Sequence, residues 1–307
     1  MLSYGFMQLA LVAAVLVGLT APTVGIYLVQ RRLSLIGDGL GHVALLGVAV
    51  GLATRSAPVW TALLATVTGA VVVELLRSRR SASTDVALAI MFYGGIAGGV
   101  VVVTRAPAGT PANLDSYLFG ALTTTTPTDL VVFAGMAVGV LAVTIGLGRS
   151  LFTVALDEEY AAASGLPVLR LNLLLAVVTA GTVTLSMRVL GLLLISGLMV
   201  LPAGCAQLVA RSFRSSLVVA VGVGVTASVT GTVASFYAGT PSGATIVLMT
   251  IAVFAVLATG RAATRAAHRR RGRPGAAPAE PTAGGPVSRP GAVVRRSLRR
   301  PAGRPAG

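Results

Sequence analysis

Long apolar runs separated by short polar breaks fill the first 260 residues of the chain. Nine stretches approach the roughly 20 apolar residues that carry a helix across a bilayer: 7–29, 37–54, 58–76, 85–104, 129–148, 170–187, 190–209, 216–237 and 243–260. This pattern predicts an all-α, polytopic membrane helix bundle of about nine transmembrane helices. Eight to ten are compatible with it, because residues 106–128, Ala/Pro-rich and then apolar over Leu114–Leu122, could hold a re-entrant or interfacial segment. The first run is too long for a signal-peptide core, and no basic residue precedes it. Within the runs, Gly37/Gly41, Gly47/Gly51, Gly95/Gly99 and Gly135/Gly139 are spaced to let helix backbones approach closely.

Arginine placement adds an orientation. Arg31, Arg32, Arg77, Arg79, Arg80, Arg149, Arg170, Arg211 and Arg214 follow one set of alternate helix ends, and only Arg55, Arg105 and Arg188 follow the other. Basic residues favour the cytoplasmic side, so the N-terminus is expected outside and the C-terminus inside. Residues 261–307 carry 12 basic residues against the single acid Glu280, whereas residues 1–260 carry 12 against 8. The formal charge of +15 therefore belongs mostly to the tail. Two units follow: a membrane domain over 1–260, and a cytoplasmic Arg/Pro/Ala/Gly-rich tail over 261–307 too poor in apolar residues to fold. The tail's arginines suit anionic lipid. It has no aromatic residue to stack on bases, so no nucleic-acid partner is expected.

Composition then removes several kinds of chemistry. Charged residues make up only 11% of the chain and its mean hydropathy is +0.87, which excludes a soluble enzyme. All 24 basic residues are Arg. Without Lys there is no Walker A loop, lysine Schiff base or lysine general base. A lone Cys205 excludes an internal disulfide and a cysteine-based zinc site. With one histidine in the membrane body and few acids, an intramembrane hydrolase lacks a convincing triad.

Few ionisable groups fall within the apolar runs. Glu74 stands three residues before Arg77, where it can snorkel or pair, and Asp85 and Asp129 open helices as caps. Asp38 and His42 differ. Four residues apart, they share one helix face. His42 lies 13 residues before Arg55, roughly 20 Å along a helix, which would set the pair deep in the hydrocarbon. A carboxylate with an imidazole suits zinc, manganese or iron(II), although the same two groups could simply hydrogen-bond and fix helix packing. The only other histidine, His268, is in the tail, so a four-ligand site would need two copies of the chain. Among the inner loops, Asp157-Glu158-Glu159 opens a short Ala-rich helix ended by Gly165 and Pro167. A polar segment from Pro202 to Arg214 leaves the seventh run.

Taken together these segments resemble the permease subunits of ABC-type importers for zinc, manganese and iron. The resemblance lies in Leu33–Ala49, Asp115–Gly120, Ala155–Pro167, Arg188–Ala203 and Tyr237–Val247, in order, and covers about 7–260. It implies a membrane-spanning permease of an ATP-driven importer in the bacterial cytoplasmic membrane, with no nucleotide-binding motif of its own. Its implied partners are a second copy of itself, cytosolic ABC ATPase subunits and an extracytoplasmic metal-binding protein. No cofactor would be held permanently; zinc or manganese would be cargo. By position, Asp38 and His42 match the pair lining the metal path. Ala203, Gln207, Arg211, Ser212 and Arg214 fall in the loop that contacts the ATPase. Two residues depart from the family pattern: Gly41 stands where Ser or Ala is common, and Leu46 where Pro is. Losing that Pro removes an expected kink beside His42. A permease for a metal chelate, of siderophore or cobalamin type, is the alternative, and it would have no need of Asp38 and His42.

Overall fold

The structure is a computed structural model describing residues 4–79, 84–105, 118, 120, 126–191 and 195–271. Among the described residues eleven helices follow in chain order: α1 (Gly5–Gln30), α2 (Ile36–Ala53), α3 (Pro58–Ser78), α4 (Thr84–Arg105), α5 (Pro127–Gly146), α6 (Gly148–Leu156), α7 (Glu158–Ala163), α8 (Val168–Leu190), α9 (Ile195–Val209), α10 (Phe213–Ala238) and α11 (Ser242–Arg271). No strand occurs among the described residues. The expected helical bundle is what the described residues form, and each of the nine apolar stretches contributes a helix to it.

Seven of these helices are long and apolar enough to cross a membrane, or eight if α5 and α6 count as one span bent by 67°. The departure from nine comes from two places. α5 ends at Gly146, and the chain turns into α6 after Leu147. α9 has only 15 residues, about 22 Å at 1.5 Å per residue, short of the roughly 30 Å hydrocarbon core. Ahead of α9 the backbone at Gly191 takes φ 79°, ψ 156°, a region essentially reserved for glycine, and α8 stops there. The last helix, α11, continues to Arg271. Asp115, most of the 106–128 stretch and the tail beyond Arg271 lie outside the described residues.

α1 is the central helix: every residue from Thr20 to Leu28 is buried, as expected of a helix apolar all round. It packs on α10, α9, α5 and α8, while α2 packs between α3 and α4 and touches α8 and α9. Close backbone contact follows the small residues. A Cβ on Gly47 would lie 2.6 Å from Ala62 Cα of α3, whereas Gly135 and Gly139 have open space around them. Leu46 fills the space beside Gly98 of α4, and α2 runs unbroken from Ile36 to Ala53 without the kink a Pro would give.

Several helix ends gather at one end of the bundle. Arg31 after α1, Arg77 of α3 and Glu158 of α7 meet through their side chains. Phe213, opening α10, lies against Tyr27 near the end of α1 and against Phe152 of α6, with ring centroids 5.4 and 4.4 Å apart. Away from them, Tyr4 and Phe6 pack with Phe236.

Candidate functional site

Asp38 occupies the first turn of α2 and His42 the next turn, both half-buried. Counted along the helix from Ile36, Asp38 is about 3 Å in and His42 about 9 Å. The pair thus lies towards the α1–α2 turn, which is also where a count of roughly 20 Å back from Arg55 puts His42. Asp38 faces an open cleft of about 360 Å³, shared with Leu35, Asp85, Phe92 and Tyr93. Its Oδ1 accepts a hydrogen bond from Ser196 Oγ (3.3 Å), in the first turn of α9. The His42 ring meets Phe92 edge-on at 4.2 Å. α4 reaches His42 because Gly95 has no side chain: a Cβ there would sit 2.6 Å from the His42 carbonyl carbon.

Asp38 and His42 stand one turn apart on α2, and no group of three or more His, Cys, Asp or Glu side chains able to hold a metal occurs among the described residues. One chain offers one carboxylate and one imidazole here, with a second carboxylate, Asp85, on the same cleft. Asp85 stands inside the first turn of α4, and its place on the cleft came from tertiary packing. Ser196 and Phe92 were not singled out in the sequence either; they come from segments 50 to 160 residues away, and no local pattern announces them. Gly95 was marked with Gly99 as a small residue for close helix approach, and the structure supplies the partner, the His42 backbone.

A second constellation lies at the end of the bundle where Arg31 and Arg77 meet. Glu158 Oε1 accepts from Arg31 Nη2 (2.5 Å), Arg77 Nη2 (2.8 Å) and Asn172 Nδ2 (3.2 Å). Arg77 also grips Glu74 with two bonds, Nε to Oε2 (3.1 Å) and Nη2 to Oε1 (2.7 Å). The Arg31 and Glu74 side chains are 5% and 4% exposed, so these charges are held by one another and not by water. Burial and the neighbouring Arg77 both lower the Arg31 pKa, opposed by Glu74 and Glu158. Burial would raise the Glu158 carboxyl, but the hydrogen bonds and charges of Arg77 and Arg31 outweigh it and hold it below its usual range. The Asp157–Gly165 loop is thus the short helix expected, N-capped by Asp157 Oδ1 accepting from the Glu159 and Tyr160 amides. It is clasped to the bundle through Glu158 and does not protrude freely.

Residues 3–260 match the ABC 3 transport family. The chain belongs to this family. It is 31% identical over 268 residues, 86% of this chain and 100% of the relative, to a probable metal transport system membrane protein of Treponema pallidum. Over 256 residues it is 29% identical to the manganese transport system membrane protein MntC of Halalkalibacterium halodurans, covering 83% of this chain and 87% of the relative. The high-affinity zinc uptake system membrane protein ZnuB of Haemophilus influenzae is 29% identical over 245 residues, 80% of this chain and 94% of the relative. Among solved structures, PsaBC from Streptococcus pneumoniae in complex with Fab matches with a TM-score of 0.75 at 27% identity, covering 83% of this chain and 92% of that one. As a member of the ABC 3 transport family, the chain is an integral membrane protein and a transport permease.

In this family member the 203–214 segment divides. Ala203 is fully buried inside α9, so it presents nothing to a partner from the surface of the chain. Gln207, Arg211, Ser212 and Arg214 are exposed. Ser212 caps α10 in a reciprocal box with Ser215: Ser212 Oγ accepts from the Ser215 amide (3.3 Å), and Ser215 Oγ accepts from the Ser212 amide (3.1 Å). Arg261, counted with the tail on sequence grounds, donates to the carbonyls of Gln207 (3.1 Å) and Leu208. It thereby satisfies acceptors that the end of α9 would otherwise leave open.

Proposed function

We propose that this chain is the permease subunit of an ATP-driven importer for divalent transition metal ions, zinc or manganese, in a bacterial cytoplasmic membrane. The observation that carries the reading is the Asp38–His42 pair on one face of α2, beside an open cleft, in a chain whose family relatives are named for manganese and zinc transport. Carboxylate and imidazole bind such ions well enough to admit them, and two ligands per chain hold them loosely enough to release. A second copy meeting the first at this face would complete a transient site of two Asp and two His. A chelate carries its metal inside its own ligands and would leave Asp38 and His42 without work, so the bare ion is the better cargo.

Nine membrane passages, with the N-terminus outside and the C-terminus inside, account for the arginine bias. The gathered ends of α1, α3, α6, α7 and α9 then form the cytosolic face. There the exposed residues Gln207, Arg211, Ser212 and Arg214 dock a separate ABC ATPase, while an extracytoplasmic metal-binding protein delivers the ion on the opposite side. Hydrolysis of ATP belongs to the ATPase, because this chain has no lysine with which to build a P-loop.

The test is metal uptake by proteoliposomes holding the chain with its ATPase. Asp38→Ala and His42→Ala should each reduce zinc or manganese uptake at least tenfold while the complex still assembles. Uptake at the parental rate in both variants would remove the metal-path assignment.

A further inference from the structure

The α1–α2 connection is five residues long and tightly bonded. The Arg31 amide donates to Tyr27 O (3.1 Å), the Leu33 amide to Leu28 O (2.8 Å) and the Ile36 amide to Leu33 O (3.1 Å), while Arg32 adopts a left-handed φ of 58°. Asp38 follows in the first turn of α2. Whatever fixes Arg31 therefore fixes the base of the helix that bears Asp38 and His42. The side chain that fixes it is Glu158, from a segment 127 residues away.

Glu158 is also a hub in its own right, because one carboxylate oxygen takes donors from the turn after α1, from α3 and from the start of α8. It sits on the α6–α7 elbow, and α6 in turn places Phe152 against Phe213, immediately after the exposed Arg211 and Ser212. The elbow thus touches both the start of α10 and the turn between α1 and α2. An amide in place of the carboxylate could still accept a hydrogen bond, but it could not balance two guanidinium groups with only Glu74 left to oppose them.

We infer that Glu158 is a positioning residue for the transported ion: through Arg31 it holds the α1–α2 turn against the α6–α7 elbow and so sets where Asp38 and His42 stand. This rests on the assignment of Asp38 and His42 as the ion's ligands. The role is distinct from general scaffolding, because a displaced ligand pair weakens ion capture while the steps that follow capture proceed as before.

The experiment uses the full permease–ATPase complex in proteoliposomes and reads manganese transport. Glu158→Gln raises the KM for the ion about tenfold with kcat within about twofold, the scale expected when a support behind a metal ligand is lost. Glu159→Gln, an exposed carboxylate one residue on, leaves both unchanged. Arg31→Gln gives the same KM rise, and the double variant gives no more than either single one, because a single tie is broken only once. Amide hydrogen exchange on the full chain reports the same tie without any metal: residues 33–42 exchange faster in Glu158→Gln than in the parent. If Glu158→Gln does not fold, Glu158→Asp retains the charge with a shorter reach and should show the same two changes at smaller size. Unchanged KM with unchanged exchange overturns the inference, as does a fall in kcat at constant KM. Should Asp38→Ala transport normally, the ligand assignment fails, and the exchange measurement still decides whether Glu158 holds the turn.

Discussion

Gly95 is the residue that brings α4 up to the His42 backbone, and the approach is close enough for a methyl group to be felt. A Cβ would meet the carbonyl carbon, carbonyl oxygen and following amide of His42–Val43 at 2.6 to 2.7 Å, and backbone cannot swing aside as a flexible side chain can. Gly95→Ala should therefore destabilise the chain by about 1–3 kcal/mol, read as a lower unfolding midpoint in detergent, and should move Phe92 away from the imidazole. Gly135→Ala, at a position with nothing within 4 Å of the added group, serves as the control and should leave the midpoint unchanged. At this scale the sequence was partly legible. Asp38 and His42 stood out because ionisable groups are rare in apolar runs and these two share a helix face. Ser196 and Phe92 did not, and Gly95 was visible only as a packing glycine, because their relation to the pair exists only after α4 and α9 have packed on α2.

Helices are the scale at which the sequence spoke most clearly. Hydropathy finds each of the nine apolar helices because burial in lipid and burial in protein demand the same residues. It cannot tell a straight span from a bent one, so the 67° turn between α5 and α6 and the shortness of α9 were missed. The glycines at 146, 148 and 191 are the only trace of those breaks. The elbow itself carries a pH dependence. Glu158 has its folded pKa held below the ordinary 4.5 by Arg77 and Arg31, against the opposing effect of burial. A depressed carboxylate pKa contributes stability that is fully present above the unfolded value and is lost as pH falls through the folded one. Acidification below about pH 4.5 should accordingly lower the unfolding midpoint of the parent chain. In Glu158→Gln that part of the profile should flatten, with thermal unfolding followed across pH 3 to 7 as the measurement.

For the molecule as a whole, the question is how many copies share an ion. One chain brings one carboxylate and one imidazole to the α2 face, so a site of four ligands built from two chains predicts about one ion bound per two chains. Equilibrium dialysis of the purified complex with manganese should give that ratio, and dimers in which one chain carries Asp38→Ala should bind far more weakly. A ratio of one per chain would mean that each copy completes its own site, with Asp85 the nearest additional carboxylate. The family was legible from the order and spacing of several motifs together, whereas assembly was not, since the surfaces that meet a partner obey the same apolar rule as those that meet lipid. One buried atom has a practical bearing on all these measurements. The only thiol in the chain, on Cys205, is shut inside α9. A maleimide probe offered to the folded protein should pass it by, so a reporter planted at any surface site can be read in the native background without first engineering the sequence clean.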